Sequence, residues 1–236
     1  MYSDGASTPV EMARAAEEFG LRFIVFADHA RRNSTYVERY CFALETLRAS
    51  CKCVAIKTGL EVKFLNAEGV VDCKPEWIPL LNCLIVSFHS FPQEAFMVHG
   101  KQAFKSIWFR TVQRFGEKEV PLLRTLNPDL ELVLGHPFSM WKRWGLEPGQ
   151  EEIADLVAIA NSYGFALEIN VNPKHFPGFD YATIVPRMCH RYTYGSDAHS
   201  VEELRVLAPR ILAMQHLGRV GGELGAEGPG GNRNPL

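Results

Sequence analysis

Short, almost continuously apolar runs alternate along this chain with longer stretches in which apolar positions recur every three to four residues. The runs at 22–27 (RFIVFA), 53–58 (CVAIKT), 83–87 (CLIVS), 131–134 (ELVL), 165–171 (FALEINV) and 191–194 (RYTY) have the length of strands. Their near-uniform hydrophobicity is that of strands buried on both faces of a parallel sheet. Helical patterns fit between them at 8–19, 35–49, 100–115, 150–162 and 201–216. Ser7-Thr8-Pro9 offers an N-cap with proline in the first turn, and Gly20 closes that helix. Ser200 and Glu203 have capping-box spacing. The repetition predicts an α/β fold with a parallel sheet and right-handed crossovers. Residues 60–72 read as a small hairpin excursion turning at 66–69. Residues 1–218 are expected to form one domain, and the Gly/Asn/Pro-rich 219–236 a disordered tail.

At 236 residues, with 47% hydrophobic and 22% charged residues, the chain has material for one substantial core. A formal net charge of −2 supplies no global field for nucleic acid or an anionic membrane. No stretch approaches the roughly 20 apolar residues of a membrane span, and no basic-then-apolar leader opens the sequence, so a cytoplasmic protein is expected. Of the six cysteines, Cys41 and Cys83 fall in apolar runs typical of a reduced core. Cys51-Lys52-Cys53 lacks the second pair that would complete a metal site, and reads as structural.

Chemistry concentrates where the predicted strands end. Asp28-His29 ends the first, Gly59-Leu60-Glu61 follows the second, and Ser87-Phe88-His89-Ser90 ends the third. Gly135-His136-Pro137 follows the fourth, and Gly195-Ser196-Asp197-Ala198-His199 the last. In parallel α/β folds these C-terminal ends share one face, where such folds build their sites. Five strand ends delivering imidazoles and carboxylates to one face predict a multinuclear site for Zn²⁺, Mn²⁺ or iron. His99, His175, His190 and His216 lack this placement and are expected to be structural or solvent-exposed. Arg31 and Arg32, just beyond His29, are candidates for binding substrate phosphate, weighed evenly against a solvated loop; Lys142-Arg143 is a weaker candidate.

The ordered series Tyr2-Ser3-Asp4-Gly5, Ala27-Asp28-His29, Gly59-Leu60-Glu61-Val62, Val86-Ser87-Phe88-His89-Ser90, Gly135-His136-Pro137 and Ser196-Asp197-Ala198-His199-Ser200 resembles the motifs of the polymerase-and-histidinol-phosphatase (PHP) family. Glu168-Ile169-Asn170 and the 60–72 excursion resemble most the PHP domain of bacterial family X DNA polymerases and its stand-alone phosphatase relatives. The resemblance implies a distorted (βα)7 TIM-like barrel and a centre of two or three divalent ions. It implies Asp4, His29 and His199 around one ion, Glu61 bridging two others, and His89 and His136 completing the second. Asp197 and Glu61 would serve the remaining ion, with a His-x-His pair from a first strand upstream of Asp4. No such pair occurs in this sequence, so the barrel is expected to lack its first strand and the natural start to lie upstream of Met1.

The reaction so implied is phosphate-ester hydrolysis, by attack of metal-bound hydroxide on phosphorus. Glu61 would act as the bridging ligand, and Asp197 as a ligand that also steers the nucleophile. Histidinol phosphate, a nucleotide and a DNA 3′ end remain open as substrates, and the absence of a basic stripe favours a small phosphorylated molecule. Two other readings stand beside this one: a metal-dependent amidohydrolase, and a degenerate domain acting as a non-catalytic interaction module.

Overall fold

The computed structural model describes residues 2–51, 54–90 and 93–223. Six strands, β1 (Phe23–His29), β2 (Ala55–Lys63), β3 (Cys83–Ser87), β4 (Glu131–Leu134), β5 (Ala166–Asn170) and β6 (Tyr192–Gly195), form one sheet in sequence order. Every pairing is parallel. The sheet curls into a half-barrel with β1 and β6 at its two ends. Among the described residues no pairing closes the sheet into a ring.

Helices α1 (Pro9–Glu18), α2 (Val37–Ser50), α3 (Gln93–Arg114), α4 (Val120–Leu126), α5 (Ser139–Arg143), α6 (Gln150–Tyr163), α7 (Phe179–Met188) and α8 (Val201–Glu223) make or flank the crossovers. Thr8 is the N-cap of α1 with proline in the first turn, as Ser7-Thr8-Pro9 predicts, and it also forms a full capping box with Glu11. The helix expected at 100–115 starts earlier, at Gln93, and breaks at Gly100, whose φ of 76° only glycine adopts cheaply. Helices α4, α5 and α7 were not expected; they are short or interrupted by Pro186, so no sustained periodicity announces them. Helix α8 runs to Glu223, beyond the expected domain end at 218. Cys53, Met1 and residues 224–236 lie outside the described residues.

Strand β2 outruns its predicted length and carries the chain into the expected excursion. Phe64 and Val71 form an antiparallel bridge, and Gly69 N–H donates to the Asn66 carbonyl to close the turn. Behind the strand ends, Phe88, Trp108, Phe138 and Trp141 are almost fully buried. Trp108 stacks on Phe88 and Phe138 with ring centroids 5.1 and 5.2 Å apart, and meets Trp141 edge-on at 5.6 Å. Such pairs contribute about 0.5–1.5 kcal/mol each beyond area burial. Here they fix the loops that carry His89 and His136.

Candidate metal centre

The parallel ladder sets the first contacts. His29, the last residue of β1, is the register partner of Glu61 in β2, and Glu61 is flanked on its other side by Ile85 in β3. His89 lies two residues beyond β3, His136 two beyond β4, and Asp197 and His199 two and four beyond β6. Asp4 arrives from the segment before α1, which is pinned at three points. Tyr2 N–H donates to Asp28 Oδ2 (2.6 Å), His29 N–H to Ser3 Oγ (3.3 Å), and Ala6 N–H to the His199 carbonyl (2.7 Å).

Two groups of donors result. Asp4 Oδ2 is 3.3 Å from both His29 Nε2 and His199 Nε2. Glu61 Oε1 is 3.1 Å from His89 Nε2 and 3.0 Å from His136 Nε2, while its Oε2 is 3.4 Å from His29 Nδ1. His29 therefore joins the groups, with one ring nitrogen in each. Both sets, Asp4/His29/His199 and His29/Glu61/His89, are compact enough to hold an ion. Glu61 is only 7% exposed. Burial pushes its carboxyl upward, but hydrogen bonding to His136 and His89 outweighs this and holds it well below the usual carboxylate range. Burial also disfavours a charged His136, yet its bond to Glu61 and the charges of Glu61, Glu168 and Asp197 lift it to about 9.

The site contains residues that sequence reasoning passed over. Glu168 is buried; one of its oxygens accepts the His136 backbone N–H and the other accepts from Asn170 Nδ2 (3.1 Å). Burial raises its carboxyl to about 7. His136 (φ 26°) and Asp197 (φ 49°) are the non-glycine residues with positive φ among those described, a backbone state typical of functional sites.

His175 corrects an expectation. It is neither remote nor solvent-exposed: its Nε2 is 3.2 Å from Asp197 Oδ2, its Nδ1 is 2.6 Å from Ser139 Oγ, and its ring stacks on His136 at 4.8 Å. A loop histidine between β5 and α7 gives no strand-end signal; the Asn172–Phe179 turn swings it back over the sheet edge. Burial opposes ionisation of Asp197, but the bond to His175 leads the effects that lower its carboxyl below the usual value.

His190 and His216 are exposed and belong to neither donor group; the His99 side chain lies outside the described residues. Arg32 donates to the Val71 carbonyl (2.9 Å) and its backbone N–H to Asp72 Oδ1 (2.9 Å), so this arginine braces the excursion. Arg31 is exposed. Arg143 Nη1 is 3.4 Å from the His89 carbonyl, and Lys142 Nζ donates to the Pro173 carbonyl (2.6 Å).

The donor set fits divalent cations. Imidazole nitrogens and carboxylate oxygens suit Zn²⁺, Mn²⁺ or iron. The buried His136 Nδ1 has no hydrogen-bond partner while its Nε2 faces Glu61. Neighbouring carboxylates crowd one cavity of about 190 Å³ lined by Asp4, His29, Glu61, Glu168, Asp197 and His199. That accumulation of negative charge is costly unless a cation compensates it.

Comparison with known proteins points the same way. No protein-family model matches the chain. Two probable phosphatases from Vibrio vulnificus, strains YJ016 and CMCP6, are each 32% identical over 108 residues, which is 45% of this chain. The match spans 42% of the length of those relatives. The histidinol phosphate phosphatase of Lactococcus lactis, solved with zinc, L-histidinol and phosphate, superposes over 99% of this chain and 91% of its own. The TM-score is 0.63 at 17% identity, so the two share a fold. The resemblance to PHP-type phosphatases drawn from the motif order is thus supported both by partial-length sequence relatives and by a full-length structural neighbour.

Proposed function

We propose that this protein is a metal-dependent phosphoesterase that hydrolyses a small phosphorylated molecule, with Asp4, His29, Glu61, His89, His136, Asp197 and His199 as ligands of two or three divalent ions (Zn, Mn or Fe). The observation that carries this reading is Glu61: a buried carboxylate with three imidazole nitrogens within 3.4 Å, framed by strands on both sides. Divalent cations bound there supply acidified water and neutralise phosphoryl oxygens and the leaving oxygen.

The chain's own residues do the rest. Glu61 stays ionised and would hold the cations on its side of the cavity. Asp197, on its left-handed turn, projects a second carboxylate into the cavity and orients the attacking water. His29 couples the two donor groups through its two ring nitrogens. Arg31, exposed just beyond His29, and Arg143, whose Nη1 lies 3.4 Å from the His89 carbonyl, are candidates to bind the substrate phosphate, with Arg32 bracing the 60–72 excursion. The amidohydrolase reading has no observation of its own in its favour.

The test combines metal analysis of purified protein with hydrolysis of p-nitrophenyl phosphate. Bound Zn, Mn or Fe, with activity abolished by chelation and restored by one of these ions, is the expected result. Metal without hydrolysis of any phosphate ester would favour the non-catalytic module, and neither metal nor activity would end the proposal.

A further inference from the structure

His175 stands outside the ligand set just proposed, yet its surroundings repeat the pattern of that set. Each histidine of the two donor groups directs a ring nitrogen at a carboxylate oxygen 3.0–3.4 Å away. Two donors that bind one ion at about 2.0–2.1 Å come to lie roughly 3 Å apart. His175 Nε2 and Asp197 Oδ2, at 3.2 Å, have this separation.

The second ring nitrogen is informative. Metal-ligating histidines almost always donate their other N–H to an oxygen, which fixes the tautomer. For His199 the nearest such oxygen is that of Glu203, 3.6 Å from its Nδ1 and too far for a hydrogen bond. For His175 the partner is Ser139 Oγ, a nearly buried hydroxyl 2.6 Å from Nδ1. In the tautomer that donates Nδ1–H to Ser139, Nε2 carries a lone pair toward the Asp197 carboxylate instead of the N–H that would bond it directly. A cation held between the two then takes the place of that proton. The ring's orientation is further fixed by its stack on His136, so it is held from both sides.

We propose that His175 is a cation ligand that acts together with Asp197, oriented by Ser139. This rests on the metal-dependent reading above. It assigns a nitrogen donor from the β5–α7 loop to the Asp197 side, where the motifs present in this sequence offer Asp197 and Glu61 and no imidazole.

The experiment is calorimetric titration of chelator-treated protein with Zn²⁺, supported by the absorption spectrum of the Co²⁺ form. Wild type, Glu61→Gln, Asp197→Asn, His175→Ala, His175→Gln and Ser139→Ala are compared. Expected is loss of the same binding step in His175→Ala and Asp197→Asn, or its weakening by 10-fold or more. The remaining steps should stay within about threefold. Combining the two substitutions should add nothing at that step. Ser139→Ala should weaken it by about 10-fold, as loss of an orienting partner does. The Co²⁺ spectrum should change in His175→Ala and not in a His216→Ala control. If His175→Ala folds poorly, His175→Gln is read instead, with thermal melts of the metal-free forms as the check on folding. If both His175 variants bind every equivalent as wild type does, this inference fails while the metal centre stands. If wild type binds no ion, both fall together.

Discussion

The two carboxylates at the heart of this site are built differently. Glu61 sits within a strand, laddered to β1 on one side and β3 on the other, with three imidazoles around it. Asp197 follows β6, an end strand whose four residues are all only half-buried, and its backbone is left-handed. Its imidazole contact comes from a loop. Groups on regular elements hold their geometry more tightly than groups on loops. The Glu61 side therefore behaves as a fixed frame, and the Asp197 side depends on bracing by His175, itself held by Ser139.

The largest effect that separates the two sides is expected from Glu61→Gln. It removes the charge that three imidazoles face and should lower kcat/KM by about 10²–10³-fold, a loss of several kcal/mol of electrostatic stabilisation. It should also remove more than one cation equivalent. His136→Ala should fall in the same range. Asp197→Asn should lower activity comparably but cost only one equivalent. Steady-state kinetics with metal analysis decides. Equal metal loss in Glu61→Gln and Asp197→Asn would erase the distinction.

Acidity gives a second contrast. In metal-free protein the raised pKa of His136, about 9 against an ordinary 6.5, stabilises the fold fully below about pH 6.5 and is lost as pH rises through 9. Depressed Glu61 contributes above about 4.5 and loses that contribution as pH falls towards its lowered value. Metal-free protein should then be most stable between about pH 4.5 and 6.5. Added Zn²⁺ or Mn²⁺ replaces the His136 proton, so the optimum should move to higher pH and the metal-induced rise in Tm should grow with pH. Thermal melts from pH 5 to 9.5 with and without metal test this. A metal-free Tm that is flat from pH 6 to 9 would contradict it.

Crowding behind the Asp197 side provides the third. A Cβ on Gly195 would lie 1.7 Å from Glu168 Oε1. Gly195→Ala must therefore displace the carboxylate that accepts the His136 N–H, at a cost of about 1–3 kcal/mol by chemical denaturation. Because Glu168 is the obstacle, Gly195→Ala combined with Glu168→Ala should cost less than the sum of the two. Strict additivity would show that the collision is relieved elsewhere.

These contrasts track what could be read in the sequence. Strands β3 and β4 were legible to the residue, because buried parallel strands are continuous apolar runs bounded by polar ends. The placement of His29, His89, His136, Asp197 and His199 was legible because each sits at or just beyond a strand end, where topology alone sends it to one face. Glu61, expected just past a shorter strand, instead lies two residues inside the end of β2. His175 was not, since a residue in a loop between β5 and α7 carries no periodicity, and its return to Asp197 is a property of the turn. Glu168 was legible as part of a motif but not as a buried carboxyl, because alternation cannot tell an inward strand residue from its neighbours when both faces are covered. Arg32 could be read equally as a phosphate ligand or a solvated loop residue, and only the hairpin's fold reveals that its guanidinium donates to the Val71 carbonyl.

The smallest effect is expected at Glu203, which serves a helix and the site at once. Its carboxylate accepts the His199 backbone N–H (2.6 Å) and lies 3.6 Å from His199 Nδ1, while its own N–H donates to Ser200 Oγ (3.1 Å) at the start of α8. Glu203→Gln keeps the side-chain shape and an acceptor oxygen, so the cap geometry should survive. What is lost is a negative charge in the first turn of a helix, about 0.3–1 kcal/mol. The same charge also favours the orientation in which His199 Nε2 faces Asp4 (3.3 Å). Zn²⁺ affinity at the Asp4/His29/His199 group should therefore fall by about two- to fivefold, the effect of losing a nearby charge worth about 0.3–1 kcal/mol. The Glu61 group shares only His29 with that set and should keep its affinity. Calorimetric titration of the metal-free variant reads both steps in one experiment. A uniform weakening of all steps would mean that α8 as a whole had shifted and that His29 couples the two groups too tightly for them to be treated as separate regions. Selective weakening of one step would show that the helix cap tunes the exposed group and leaves the strand-framed one untouched.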